Sequence, residues 1–149
     1  MNVFEGIKSS YIAVGLTDGE IQAIAGIAEE AAFEAETEIL REFTEAHNVY
    51  ILLVGKVRVE TGTGDLIARL GPGTILGELA LFDTGERSAN VVSDGPATLA
   101  RIKAEDFNAL MDRQPHLGLT VLRHVGKVLC QRLRSSNVQL EAVLGNLGF

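Results

Sequence analysis

The sequence predicts an α+β chain in which a barrel or jelly roll of short strands is framed by an N-terminal helix and a long C-terminal helix. Three observations predict this class. Between about residue 38 and residue 102, short apolar or alternating runs are separated by glycines, the pattern of many short strands joined by tight turns. Upstream, Thr17-Asp18-Gly19-Glu20 has the form of a capping box that opens a helix. Beyond Pro115, apolar residues recur at three- and four-residue steps, as on one face of a helix.

Taken in order, Thr17 supplies the cap and Glu20 the reciprocal acceptor of a helix expected to run to about Glu30. From Glu38 the period shortens. Ile39, Val49–Val54, Val57 with Val59, and Leu66–Leu70 read as strands, broken by Gly55, Gly62, Gly64, Gly71 and Gly73. Gly62-Thr63-Gly64-Asp65 between two such runs is a hairpin signal. Ser88–Val92 and Ala97–Ile102 continue the strands across Ser93-Asp94-Gly95-Pro96. Ala104–Met111 reads as a short helix stopped before Pro115, and His116 to about Leu144 as one long helix. Leu122, Val125, Leu129, Leu133, Leu140, Val143 and Leu147 form its apolar stripe, with Ser136 in the one polar slot. At about 28 residues such a helix is about 40 Å long, more than a small roll can cover. Its second half is therefore expected to form a helix–helix seam with a second copy.

The 149 residues fit a single domain, 1–149, with the roll at about 33–103 and the C-terminal helices at about 104–147. With 46% hydrophobic and 22% charged residues the composition is that of an ordinary globular core with a solvated surface. Twenty acidic against thirteen basic residues leave a net charge of −7, which disfavours direct contact with nucleic acid or anionic membranes. No apolar run nears the roughly 20 residues of a membrane span, and Met1-Asn2-Val3-Phe4-Glu5 lacks the form of a signal peptide. A lone cysteine, Cys130, rules out an internal disulfide and is expected to be a buried structural thiol. These features point to a cytoplasmic protein. His47, His116 and His124 are scattered without metal-ligand spacing, so neither a metal nor a catalytic role is expected.

The chemistry concentrates in Gly77-Glu78-Leu79-Ala80-Leu81 and, six residues on, Arg87-Ser88-Ala89. Glycine lets the backbone approach a ligand closely, and amides at the start of a short helix face anions. Arg87 can fork two hydrogen bonds onto a phosphate, whereas Glu78 can only accept, as a sugar hydroxyl requires. A surface ion pair is the plain alternative. The apolar run from Leu76 to Phe82 argues against it, because charges set there would be partly buried and costly without a partner. A nucleotide with a free ribose hydroxyl and a singly charged phosphate satisfies both groups together.

These two segments resemble the phosphate-binding cassette of the cyclic nucleotide-binding domain family, which includes catabolite activators, regulatory subunits of cAMP-dependent protein kinase and cyclic nucleotide-gated channels. The resemblance extends to Val49-Tyr50-Ile51-Leu52-Leu53-Val54-Gly55-Lys56-Val57 and to the turn Leu70-Gly71-Pro72-Gly73, and covers roughly Phe33 to Leu133. Two departures stand out: Glu36 and Phe43 occupy positions where the family usually has turn glycines, and Leu76 replaces the usual aromatic residue ahead of Gly77.

The resemblance implies an eight-stranded antiparallel β-roll with a short cassette helix and a long C-terminal helix. It implies cAMP, with cGMP as the alternative, as the ligand. Arg87 would pair with the cyclic phosphate, a match for a bidentate guanidinium, and Glu78 would accept from the ribose 2′-hydroxyl. Gly77, Leu79 and Ala80 would contribute backbone contacts, with Ser88 and Ala89 beside the phosphate. Val59, Ile67, Ala68 and Leu76 would wall the base or sugar, or serve as plain core. Arg132, Ser136 and Asn137 fall where catabolite activators cap the base, or form a solvated helix face. Ser88 beside Arg87 leans toward cAMP. Binding would order the cassette and move the C-terminal helix, with no chemistry on the ligand.

Catabolite activators carry a helix-turn-helix beyond the long helix, and none is legible up to Phe149. Direct DNA binding by this chain is therefore not expected. Two further readings stay open: the sensor portion of a larger transcription factor, channel or enzyme, and a ligand-free dimerisation or docking module of the same fold.

Overall fold

The computed structural model describes residues 1–144 apart from Glu42, Phe43, Glu45, Thr84, Glu86 and Ser88, and their side chains as far as Ser136. Two of the residues singled out by sequence, Phe43 and Ser88, therefore lie outside the described residues, as do Leu147 and the side chains of Asn137, Leu140 and Val143.

The chain opens with helix α1 (Val3–Ser9), a 3-10 turn at Tyr11–Ala13, and helix α2 (Asp18–Gly26). Asn2 caps α1, its side chain accepting from the Glu5 amide at 2.8 Å. The capping box of α2 is present in full: Thr17 Oγ1 accepts from the Glu20 amide and Glu20 accepts from the Thr17 amide. The eight strands are β1 (Ala28–Phe33), β2 (Glu38–Leu40), β3 (Asn48–Val54), β4 (Val57–Glu60), β5 (Leu66–Leu70), β6 (Ile75–Leu76), β7 (Asn90–Ser93) and β8 (Ala97–Lys103). A 3-10 helix at Glu78–Leu81 separates β6 from β7, and α3 (Ala104–Arg113) and α4 (Pro115–Leu144) follow β8.

The strands form two four-stranded antiparallel sheets, ordered β1-β8-β3-β6 and β2-β7-β4-β5. This is the expected roll with its framing helices. The Gly62–Asp65 hairpin joins β4 to β5, closed by the Thr61 amide donating to Asp65 O at 2.9 Å. The helix begun at Thr17 is shorter than expected, ending at Gly26 and not near Glu30. Residues 28–30 instead pair with β8, Ala28 opposite Ile102 and Glu30 opposite Ala100, so a long-range ladder overrides a local helical preference. Helix α1 and the two-residue strand β6 were not anticipated.

β3 holds the two halves of the molecule together because both of its faces are apolar. Val49, Ile51 and Leu53 point to the helices, joining Ile7, Ile12, Ile21, Ile24, Phe107, Leu117, Val121 and Val125 in the principal core. Tyr50 and Leu52 point the other way, into the roll, with Val57, Leu76, Val91 and Leu99. The period of two along a strand makes this double duty possible. α4 is tied to the first core by Leu117, Val121 and Val125, all fully buried. The expected stripe holds at Val125 and is corrected at Leu122. Val125 lies on the buried face, whereas Leu119, Leu122 and Leu133 are exposed on another. Cys130 is also exposed, against expectation, because it lies off the line that Leu117, Val121 and Val125 turn toward the core.

Glu36, at a position where a glycine was the resembling residue, adopts φ +59°. This left-handed conformation suits glycine best. Arg58 offsets the cost by donating to Glu36 Oε1 at 2.8 Å while also holding Glu60 and Asp94. The guanidinium keeps the Glu36 carboxyl below its ordinary range.

Candidate functional site

Local backbone shape begins the site. Gly77 has φ +74°, and a Cβ there would collide with the Arg87 guanidinium and lie 3.1 Å from Asn48 O. The close approach expected of this glycine is therefore made to the chain's own arginine. Gly77 O in turn accepts from Arg87 Nη1 at 3.3 Å, and Asn48 O accepts from Nη2 at 2.7 Å. The Arg87 amide donates to Thr44 O at 2.8 Å. Arg87 is thus clamped against the start of β3 by backbone carbonyls, which orient it without neutralising it. Burial lowers its pKa from the ordinary value, but a guanidinium starts so high that it stays charged.

Glu78 is only 3% exposed, the most deeply buried carboxylate among the described residues. The 3-10 helix places it under α4, where Arg132 Nη1 comes within 3.1 Å of its Oε1. That contact balances charge without hydrogen-bond alignment, and Oε1 has no hydrogen-bond partner. A buried carboxylate oxygen left unpartnered is costly.

Both groups open onto one cavity of about 490 Å³ between the two sheets and α4. Of the residues expected at a ligand, Gly77, Glu78, Leu79, Arg87 and Ala89 line it, as do Val59, Ile67, Ala68 and Leu76; Arg132 is the contribution of α4. Ala80 does not line it, being packed into the principal core with its amide donating to Gly77 O at 3.1 Å. Ser136 is exposed and off the cavity.

Sequence reasoning missed Leu40, Leu70 and Val91 on the apolar wall, and Asp83, whose side chain accepts from the Gly85 amide at 2.8 Å and shapes the loop. Val91 was findable in principle: it lies directly opposite Val59, as Ala68 does on the other side, so the three share one face of the sheet. Leu40 gave no local signal, because the register that brings β2 beside β7 is set far away in sequence.

The cavity therefore joins a clamped cation, a buried acceptor and an apolar wall. Its size suits one small organic ligand. No group of histidine, cysteine and carboxylate side chains able to hold a metal is found among the described residues. Among them, no helix is long and apolar enough to cross a membrane.

Comparison with known proteins agrees with this geometry. A family profile described as "Cyclic nucleotide-binding domain" matches residues 30–114. The Cyclic AMP receptor protein of Thermus thermophilus is 29% identical over 139 residues, covering 91% of this chain and 62% of that protein. Glutaminase 2 of Bradyrhizobium diazoefficiens is 27% identical over 126 residues, 85% of this chain but 20% of the glutaminase. Among solved structures, a cyclic nucleotide-binding domain from Methylobacillus flagellatus superposes with a TM-score of 0.81 at 26% identity, covering 97% of this chain and 86% of the other. The chain thus spans less than two thirds of the length of both named relatives.

The Gly77→Ala substitution should be destabilising by about 2–3 kcal/mol, since it combines a left-handed backbone with a collision. The control Gly71→Ala, where a Cβ meets open space, should stay within about 0.5 kcal/mol. Urea denaturation of the two variants compares them directly.

Proposed function

The chain belongs to the cyclic nucleotide-binding domain family, and on that premise we propose that it is a cAMP sensor that couples ligand occupancy to its C-terminal helix. The observation that carries this reading is the unpartnered, buried Oε1 of Glu78 in the same cavity as the clamped Arg87. In it, Arg87 takes the cyclic phosphate, using the N–H groups that the carbonyls of Gly77 and Asn48 leave free, with the backbone of Gly77–Leu79 and of Ser88–Ala89 alongside. Glu78 accepts from the ribose 2′-hydroxyl. The base lies against Val59, Ile67, Ala68 and Leu76, with Leu40, Leu70 and Val91 completing the wall, and Ser136 and Asn137 reach it only when α4 closes over the cavity. Preference for cAMP over cGMP rests on Ser88 beside Arg87.

The coupling runs through Arg132. In the structure its guanidinium faces the carboxylate oxygen that the 2′-hydroxyl needs. A nucleotide must share or displace that contact, and so changes the free energy of holding α4 against the roll. The shift can be no larger than the difference in ligand affinity between the two helix positions. The exposed face of α4 completes the reading. Leu119, Leu122 and Leu133 lie on one exposed side of the helix, with the half-buried Gly126 and Leu129 beside them, a spacing that suits a parallel pairing of two copies. The Bradyrhizobium relative, of which this chain spans a fifth, supports a domain that can serve larger regulated proteins.

Titration calorimetry with cAMP and cGMP tests the ligand assignment. Arg87→Ala should weaken cAMP binding by more than tenfold, the equivalent of about 1.5–3 kcal/mol for a charge-assisted bond; unchanged affinity would remove Arg87 from the site. Hydrogen exchange tests the coupling. cAMP should change protection along residues 126–136 of the wild type, and in Arg132→Gln that response should be much reduced. For the seam, Leu122→Glu with Leu133→Glu should shift sedimentation from dimer to monomer, and a wild type already monomeric at high concentration refutes the pairing.

A further inference from the structure

We propose that Tyr11 is a positioning residue for Glu78, its hydroxyl donating to the carboxylate and fixing it where a ribose 2′-hydroxyl can reach it. This rests on the nucleotide reading above and assigns a part in it to the N-terminal segment, which the sequence motif does not include.

Among the described residues, two buried side-chain polar atoms lack any hydrogen-bond partner, the Tyr11 hydroxyl and Glu78 Oε1. One is a donor and the other an acceptor, and they belong to neighbouring side chains, each lying in the other's field. Neither site is an accident of a loose surface. Tyr11 sits in the 3-10 turn that packs against α4, with its ring against the principal core, and Glu78 is 3% exposed. Arg132 reaches the same oxygen from α4, so three elements distant in sequence converge on one carboxylate. The phenol keeps its proton: burial first, and then the neighbouring Glu78 charge, raise its pKa far above the physiological range. It is therefore available only as a neutral donor, which suits it to orient a carboxylate without neutralising it.

The geometry in the structure leaves the donor and the acceptor unpaired. A ligand hydroxyl arriving on one side of the carboxylate and Tyr11 on the other would satisfy all three groups together. Without Tyr11, Glu78 would be oriented by Arg132 alone, whose side chain is 58% exposed and correspondingly mobile in direction.

The test compares cAMP with 2′-deoxy-cAMP on wild type and Tyr11→Phe, with melting temperature as a control on folding. In the wild type cAMP should bind more tightly. In Tyr11→Phe the affinity for cAMP should fall by about tenfold while that for 2′-deoxy-cAMP stays unchanged, so the preference for the ribose hydroxyl collapses. Equal losses for both ligands would mean a merely structural role and overturn the proposal, as would a preference unaltered by the substitution. A wild type that binds neither ligand would instead overturn the nucleotide reading itself, and the proposal with it. Should Tyr11→Phe not fold, tyrosine ring-carbon NMR of the wild type decides. Tyr11 should respond to cAMP but not to 2′-deoxy-cAMP, and an identical response to both would refute the assignment.

Discussion

A carboxylate that is 3% exposed cannot be left to itself, and the organisation of the cavity follows from how Glu78 is accommodated. Removing an ion from water costs several kcal/mol, recovered only by opposite charge and hydrogen bonds. The chain supplies the charge through Arg132 on α4 but not the hydrogen bond to Oε1. Glu78 is therefore held in place by charge and short of one donor. That shortfall separates a binding site from a structural ion pair. A fully satisfied pair would have no use for a ligand hydroxyl, and an unpaired carboxylate would neutralise or expose itself.

Arg87 solves the complementary problem differently. Its guanidinium is anchored by the carbonyls of Gly77 and Asn48, neutral acceptors that fix direction while leaving the charge unbalanced. Had Glu78 and Arg87 paired with each other, as two opposite charges on one segment readily do, the cavity would lose both of its polar functions. The left-handed turn at Gly77 keeps them apart, sending the carboxylate under α4 while its own carbonyl holds the guanidinium. Behind this arrangement stands β3, whose first residue supplies the Asn48 carbonyl and whose two apolar faces fix the roll to the helices. Arg87 is thereby referenced to a strand buried on both faces.

What was legible in the sequence, and what was not, follows the same physics. The capping box at Thr17, the glycine-punctuated strands, the hairpin at Gly62–Asp65 and the Gly77-Glu78/Arg87 pair were readable because each depends on residues close in sequence. The end of α2, the membership of residues 28–30 in a strand, and the two faces of α4 were not, because ladder pairing with β8 and burial against Phe107 and Ile12 decide them. Cys130 and Leu122 were misassigned for one reason: a stripe at three- and four-residue steps does not say which of two adjacent apolar faces meets the core. Around the cavity, Gly77, Glu78, Leu79, Arg87 and Ala89 were found on the motif, whereas Leu40 and Val91, brought in by topology, were not. Glu36 is the converse case. A glycine position was recognised by resemblance, and the structure shows that the left-handed turn persists without glycine because Arg58 holds the substitute.

The remaining step concerns why α4 is suited to respond. Its first turns are locked by Leu117, Val121 and Val125, each fully buried, whereas from Cys130 to Ser136 every described residue is exposed. The helix is about 45 Å long by its 30 residues, so a firmly rooted base carries a lightly held arm. Arg132 falls on that arm, and its contact with Glu78 is the polar tie the structure shows between arm and cavity. One end of this tie is exposed and the other buried, so moving Arg132 away would leave the Glu78 charge uncompensated, which is costly. In the proposed coupling, a filled cavity would have to offset that cost before the arm moved. On that proposal, a ligand hydroxyl donating to Glu78 would replace part of what Arg132 supplies and so bias the arm.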